Sequence, residues 1–134
     1  MKHIVFLFVV VLIVTSCGST APIVDRSNQL PEHAVRIAND DLEYEIIIID
    51  IGFDTYLLSI AKPSNFYSQS YYEQKNIFYV SEWNIRAGNP MRYDPSLYEN
   101  QIAYEQGIDY GLDVNYKLYN YFKFVEYKYK VRFR

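Results

Sequence analysis

Residues 115–133 read NYKLYNYFKFVEYKYKVRF, and the reading of this stretch decides the fold. Val114, Leu118, Tyr121, Phe122, Val125 and Tyr129 recur at i, i+4, i+7, i+8, i+11 and i+15, which draws one apolar stripe along a helix. Asn115, Lys117, Asn120, Lys123 and Glu126 take the other faces, with Asp113 as the expected cap. From Tyr127 the pattern becomes strict alternation, Tyr-Lys-Tyr-Lys-Val-Arg-Phe-Arg, the period of a half-buried strand. The segment therefore predicts a helix that passes into a short terminal strand.

That strand needs a partner, and residues 43–50, EYEIIIID, supply the best one. Four consecutive isoleucines suit a pleated sheet, and an unbroken apolar run is the pattern of burial on both faces. AVRIA, residues 34–38, is expected to pair with it through Asn39-Asp40, and Gly52 ends it. Asp54 then reads as the N-cap of a short helix through Ala61, stopped by Pro63. Ser70-Tyr71-Tyr72-Glu73 has capping-box spacing and opens a second helix to about Arg86. Tyr72, Lys75, Tyr79 and Trp83 would form its stripe, and AGNP would end it. The expected fold class is α+β: a two- or three-stranded sheet packed by about three helices.

Upstream, Lys2 and His3 precede an apolar run from Ile4 to Val14, the length of a secretory signal core. Eleven helical residues rise roughly 16 Å, well short of a hydrocarbon layer of roughly 30 Å. The only cysteine follows at Cys17. Val14-Thr15-Ser16-Cys17 resembles the bacterial lipobox, in which cleavage precedes the cysteine and its sulfur carries diacylglycerol. Small side chains before the cut admit the peptidase, and each buried methylene adds about 0.8 kcal/mol of membrane affinity. The expected organisation is a signal peptide over 1–16, a lipidated Cys17 and tether over 17–33, and one small domain over 34–134.

Cleavage would take Lys2 from the 13 bases and leave 12 against 16 acids. The charge is divided: residues 17–113 hold 15 acids and 6 bases, whereas residues 114–134 hold 6 bases and only Glu126. Either the basic helix is neutralised on the acidic body, or it offers a basic face to lipid headgroups or an acidic polymer. Nucleic acid is not expected as a partner of an exported, net acidic chain.

The stretches EYEIIIIDIGF, FYSQSYYEQKN, SEWN and DYGLDVNYKLYNYFKF are similar to a family of uncharacterised lipoproteins of Bacteroidetes-type bacteria, a domain of unknown function, over most of residues 42–133. The resemblance implies an envelope location and brings no catalytic residue. Acidic residues, which tend to follow the cysteine in surface-exported lipoproteins of such bacteria, are absent from Gly18 to Pro22, so the expected place is the outer membrane on its periplasmic side.

After cleavage one histidine remains, His33, and the cysteine is acylated, which leaves no nucleophilic triad or histidine-based zinc site and no expected cofactor or metal. Asp94, Glu99, Glu105, Asp109 and Asp113 lie in or beside an irregular connection over residues 87–111; two of them could serve a cell-wall hydrolase, and all five could be solvated loop acids. Binding suits a chain with 15 tyrosines better, because tyrosine offers apolar area, a polar tip and few rotamers. Trp83, Tyr93, Tyr98 and Tyr104 are the candidate contact residues, Trp83 being either a core anchor or a platform. The leading expectation is a non-enzymatic adaptor for another envelope protein, followed by the hydrolase and then by a glycan-binding module.

Overall fold

The structure, a computed structural model, describes residues 30–134; the signal segment, Cys17 and most of the expected tether lie outside the described residues. Strand β1, Val35–Asn39, pairs antiparallel with β2, Tyr44–Ile48, in a register that sets Val35 against Ile48 and Asn39 against Tyr44. The connection is longer than a two-residue turn. Asn39 Oδ1 accepts from the amides of Asp41 and Leu42 at 3.1 and 3.3 Å, capping a single 3-10 turn over Asp40–Leu42, and Glu43 returns the chain at φ +52°. Asn39 also donates to the carbonyl of Tyr110 at 3.1 Å, which ties the hairpin to the rest of the fold.

Contrary to the expectation from its isoleucines, β2 is not buried on both faces. Ile46 and Ile48 pack in the core with Ile37, while on the other face Glu45 is exposed and Ile47 only partly buried. Among the described residues the sheet has two strands, and one helix layer covers one of its faces.

Helix α1 spans Phe53–Ser59 and begins from Gly52, not from a cap at Asp54. Gly52 at φ +97° turns the chain sharply enough to drive Phe53 into the core, a conformation that side chains resist. Asp54 instead meets His33, whose Nδ1 lies 2.8 Å from its carboxylate. That hydrogen bond and the charge of Asp54 raise His33 above its ordinary 6.5, and the same bond lowers Asp54. The contribution of His33 is full below its unfolded value and vanishes as pH rises through the raised folded value. That of Asp54 is full above its unfolded value and is lost as pH falls through the lowered one. An NMR titration should find His33 titrating high in the native chain and lower in Asp54→Asn; equal midpoints would mean that the pair does not form.

Helix α2 spans Gln69–Ala87, and Ser68 rather than Ser70 caps it, accepting from the amide of Tyr71 at 3.2 Å. The helix therefore starts two residues before the expected capping box, which does not form, and Glu73 receives Gln69 Nε2 instead. Tyr72, Asn76, Tyr79, Val80, Trp83 and Arg86 form the buried face; Asn76 takes the place expected for Lys75.

Helix α3, Gly111–Tyr129, is the centre of the molecule, with α2 packed on it as well as β1 and α1. It starts two residues before the expected cap, and Asp113 forms an i,i+4 pair with Lys117 at 2.7 Å. The terminal strand does not form. Lys130 at φ +55° ends the helix, and the chain turns back so that Phe133 packs on Phe122 at 5.3 Å and on Tyr79 at 5.9 Å between ring centroids. Two side chains hold the return: Glu126 accepts from the amide of Phe133 at 3.0 Å, and Arg86 donates to the carbonyl of Arg132 at 2.5 Å. Of the basic residues on this segment, Lys128 crosses to the acidic body, reaching Asp50 at 2.5 Å.

The connection from Gly88 to Tyr110 lacks helix and strand yet is anchored by the buried Tyr98, Ile102 and Tyr110. Tyr110 lies against Tyr44 at 4.4 Å and stacks on Tyr104 at 4.8 Å. Tyr104 OH donates to Asn115 Oδ1 at 2.6 Å, whereas the buried OH of Tyr44 has no partner among the described residues. Tyr104→Phe should therefore cost about 1 kcal/mol, and Tyr44→Phe should be neutral or stabilising in urea denaturation. A loss above about 1.5 kcal/mol in Tyr44→Phe would mean that its hydroxyl is bonded.

Candidate functional site

A cleft of about 850 Å³ opens beside β2. One wall is the unbroken run of residues 43–50, and the opposite wall comes from the irregular connection, chiefly residues 96–103. Side chains of a strand alternate between faces, so a hollow over a face touches every second residue. Consecutive residues line a hollow that lies along an edge. Among the described residues β2 pairs with β1 alone, which leaves its other edge free of them.

The floor is apolar and well held. Trp83 is 4% exposed and donates its indole N–H to the carbonyl of Asn100 at 2.8 Å. Tyr121 is nearly as buried, and burial first, the nearby Asp50 second, push its phenol above the ordinary range. Leu97 and Ile102 complete the floor. Asn84 of α2 fixes the far wall with both ends of its amide: its Oδ1 accepts from the amide of Ile102 at 2.8 Å and its Nδ2 donates to the carbonyl of Ile102 at 2.9 Å.

Four carboxylates line the cleft, those of Glu43, Glu45, Asp50 and Glu99, and among the described residues no lysine or arginine does. Glu45 is bound by Arg36 at 2.5 Å, and Asp50 by Lys128 and by Tyr129 OH, which reaches its Oδ2 at 2.9 Å. Among the described residues Glu43 and Glu99 have no ion pair.

Of the residues singled out in the sequence, Trp83 contributes to this floor, and Tyr98 lies beneath it, 4.9 Å from the Trp83 ring. Tyr98 is 4% exposed and its hydroxyl accepts from Arg86 at 2.7 Å. Half-buried Tyr93 packs on Tyr98, while Tyr104 belongs to the separate stack with Tyr110 and Tyr44. The three loop tyrosines thus serve as anchors in two places and do not share one exposed surface. Among the five loop acids, Glu99 alone lines the cleft. Asp94 accepts from the hydroxyl and amide of Ser96, which lower it; Asp109 accepts from Gln69 and from the amide of Gly111 at 3.0 Å; Asp113 holds Lys117. No group of three or more histidine, cysteine or acidic side chains placed to hold a metal occurs among the described residues. No described helix is long and apolar enough to cross a membrane.

Asn84 and Glu43 were not singled out as site residues from the sequence. Nothing local marks Asn84, because its role arises only when α2 and a segment 18 residues later lie side by side.

Comparison with known proteins finds no curated protein and no solved structure that matches this chain. A family model does match, over residues 5–134, and on that match the chain belongs to the family of unknown function DUF6146.

Proposed function

We propose that this chain is a lipid-anchored protein of the cell envelope, held at the periplasmic side of the outer membrane, that acts as a binding or adaptor module for another envelope protein. The cleft along the free edge of β2 carries the reading: it has an apolar floor, an acidic rim and walls held by hydrogen bonds. Such a site recognises shape and charge. The anchoring part rests on the apolar run before Val14-Thr15-Ser16-Cys17.

Two experiments test the two parts separately. Cys17→Ser should abolish labelling by a fatty-acid probe and release the protein from the membrane fraction; a labelled, membrane-bound variant would sink the anchor. A photo-crosslinking residue at Gln101, beside the cleft, should trap one abundant envelope protein in intact cells, whereas the same residue at Leu58, 89% exposed and outside the cleft lining, should not. Adducts that are the same from both positions, or none from either, would overturn the adaptor reading. Turnover of cell-wall glycan lost in Glu99→Gln would replace it with an enzyme.

A further inference from the structure

The cleft has two rails of backbone, and the far one is oriented by α2. In an extended segment the N–H and C=O of one residue point to one side and those of its neighbours to the other. Gln101 to Glu105 contain neither turn nor bend. Asn84 engages both backbone groups of Ile102, and Trp83 takes the carbonyl of Asn100, so these two residues face α2. Alternation sends the N–H and C=O of Gln101 and Ala103 the opposite way, toward the cleft. Among the described residues they have no hydrogen-bond partner. Across the cleft, alternate residues of β2 present backbone groups that are likewise unpaired among the described residues. That edge carries neither the lysine nor the proline with which exposed edges are commonly blunted.

We propose, building on the binding-module reading, that the cleft accepts an extended peptide of alternating apolar and basic residues as an added strand between β2 and residues 101–103. Backbone hydrogen bonds on both sides supply affinity, as in other modes of strand addition. Apolar side chains of the guest settle on Trp83, Tyr121, Leu97 and Ile102, and the intervening ones rise to the rim. Charge complementarity fixes their sign: among the described residues Glu43 and Glu99 stand there without an ion pair, and no base lines the cleft to favour an acidic guest.

The probe is a labelled synthetic peptide of about six residues, alternating valine and lysine, titrated by fluorescence anisotropy into the full chain in detergent. Three comparisons decide. A glutamate-for-lysine peptide should bind at least about tenfold more weakly, and a peptide N-methylated at alternate nitrogens should lose about as much. Ala103→Pro, which deletes one N–H facing the cleft and leaves the Ile102 bonds to Asn84 possible, should weaken the native peptide comparably. Hydrogen exchange should show Gln101, Ala103 and alternate β2 amides slowed on binding.

Binding indifferent to N-methylation would overturn strand insertion and leave a binding module intact. No binding to the lysine peptide would overturn insertion, while the crosslinking experiment at Gln101 judges the module independently. Protection of Gln101 and Ala103 in the chain without peptide, accompanied by protected amides within residues 18–29, would assign the cleft to the chain's own segment and overturn the proposal.

Discussion

Arg86→Ala should lower stability by about 3 kcal/mol, the loss expected when one partner of an enclosed charged network is removed. The guanidinium joins three parts of the fold at once. It binds Glu82 on its own helix at 2.8 Å, the hydroxyl of Tyr98 in the connection at 2.7 Å, and the carbonyl of Arg132 beyond α3 at 2.5 Å. It also lies 4.8 Å from the Phe133 ring centroid and 5.5 Å from that of Tyr98. Its side chain is only 10% exposed, so truncation leaves Glu82 without its cation and two acceptors without their donors. Arg86→Lys keeps the charge but has no planar fork to reach three acceptors, and should recover less than half of the loss. Urea denaturation measures both. A change below about 1 kcal/mol in Arg86→Ala would show that the Arg86 contacts do not hold the tail.

Phe53→Ala should have an effect at least as large, about 3–5 kcal/mol. The ring is fully buried, 5.3 Å from Tyr121 and 5.4 Å from Phe124, and it joins the start of α1 to the central helix. The residue before it is Gly52 in the left-handed region, so the backbone there is shaped to place this side chain, and collapse into the vacated space is restricted. Leu58→Ala is the control. It lies on the same short helix at 89% exposure and should change stability by less than about 0.5 kcal/mol. Domains of this size are stable by roughly 5–15 kcal/mol, so the Phe53 variant would lose a large share of its margin. Equal effects from the two variants would mean that α1 does not dock as described.

The helical stripe of α3 was legible over Val114, Leu118, Tyr121, Phe122 and Val125, because periodicity is a local property. Tyr129 is instead exposed, and Asn115 and Asn120, assigned to the other faces, are buried along with Phe124 because α3 is packed on more than one side. The hairpin was legible for the same reason, since the isoleucine run and its neighbour are close in sequence. Caps were read less well. Ser68 and Ser70 both precede a hydrophobic run, and the choice of Ser68 depends on where the helix must start to bury Tyr72. Asp54 has the chemistry of a cap, but Gly52 makes the turn and His33, 21 residues earlier, claims the carboxylate.

The terminal strand shows where local reading stops. Alternation from Tyr127 to Arg134 has the period of a strand, yet the helix runs on through Tyr129 and the last residues fold back onto Arg86 and Glu126. A strand exists only if a partner edge is within reach, and that is a fact about the whole fold. The candidate site has the same character. Trp83 was singled out as an aromatic and Glu99 as a loop acid, but the cleft consists of backbone groups on a free edge and on a segment clamped by Asn84. Every residue except proline has both groups, so composition says nothing about which are left unpaired.

By itself, then, the amino-acid sequence determined what depends on near neighbours: the α+β class, the central amphipathic helix, the hairpin strands and the end of α2 at Gly88. The tertiary structure alone decided which edge of β2 stayed free, which tyrosines became anchors, and where the basic tail went. Each of those depends on contacts between segments distant in the chain, where packing and hydrogen-bond satisfaction override the local period.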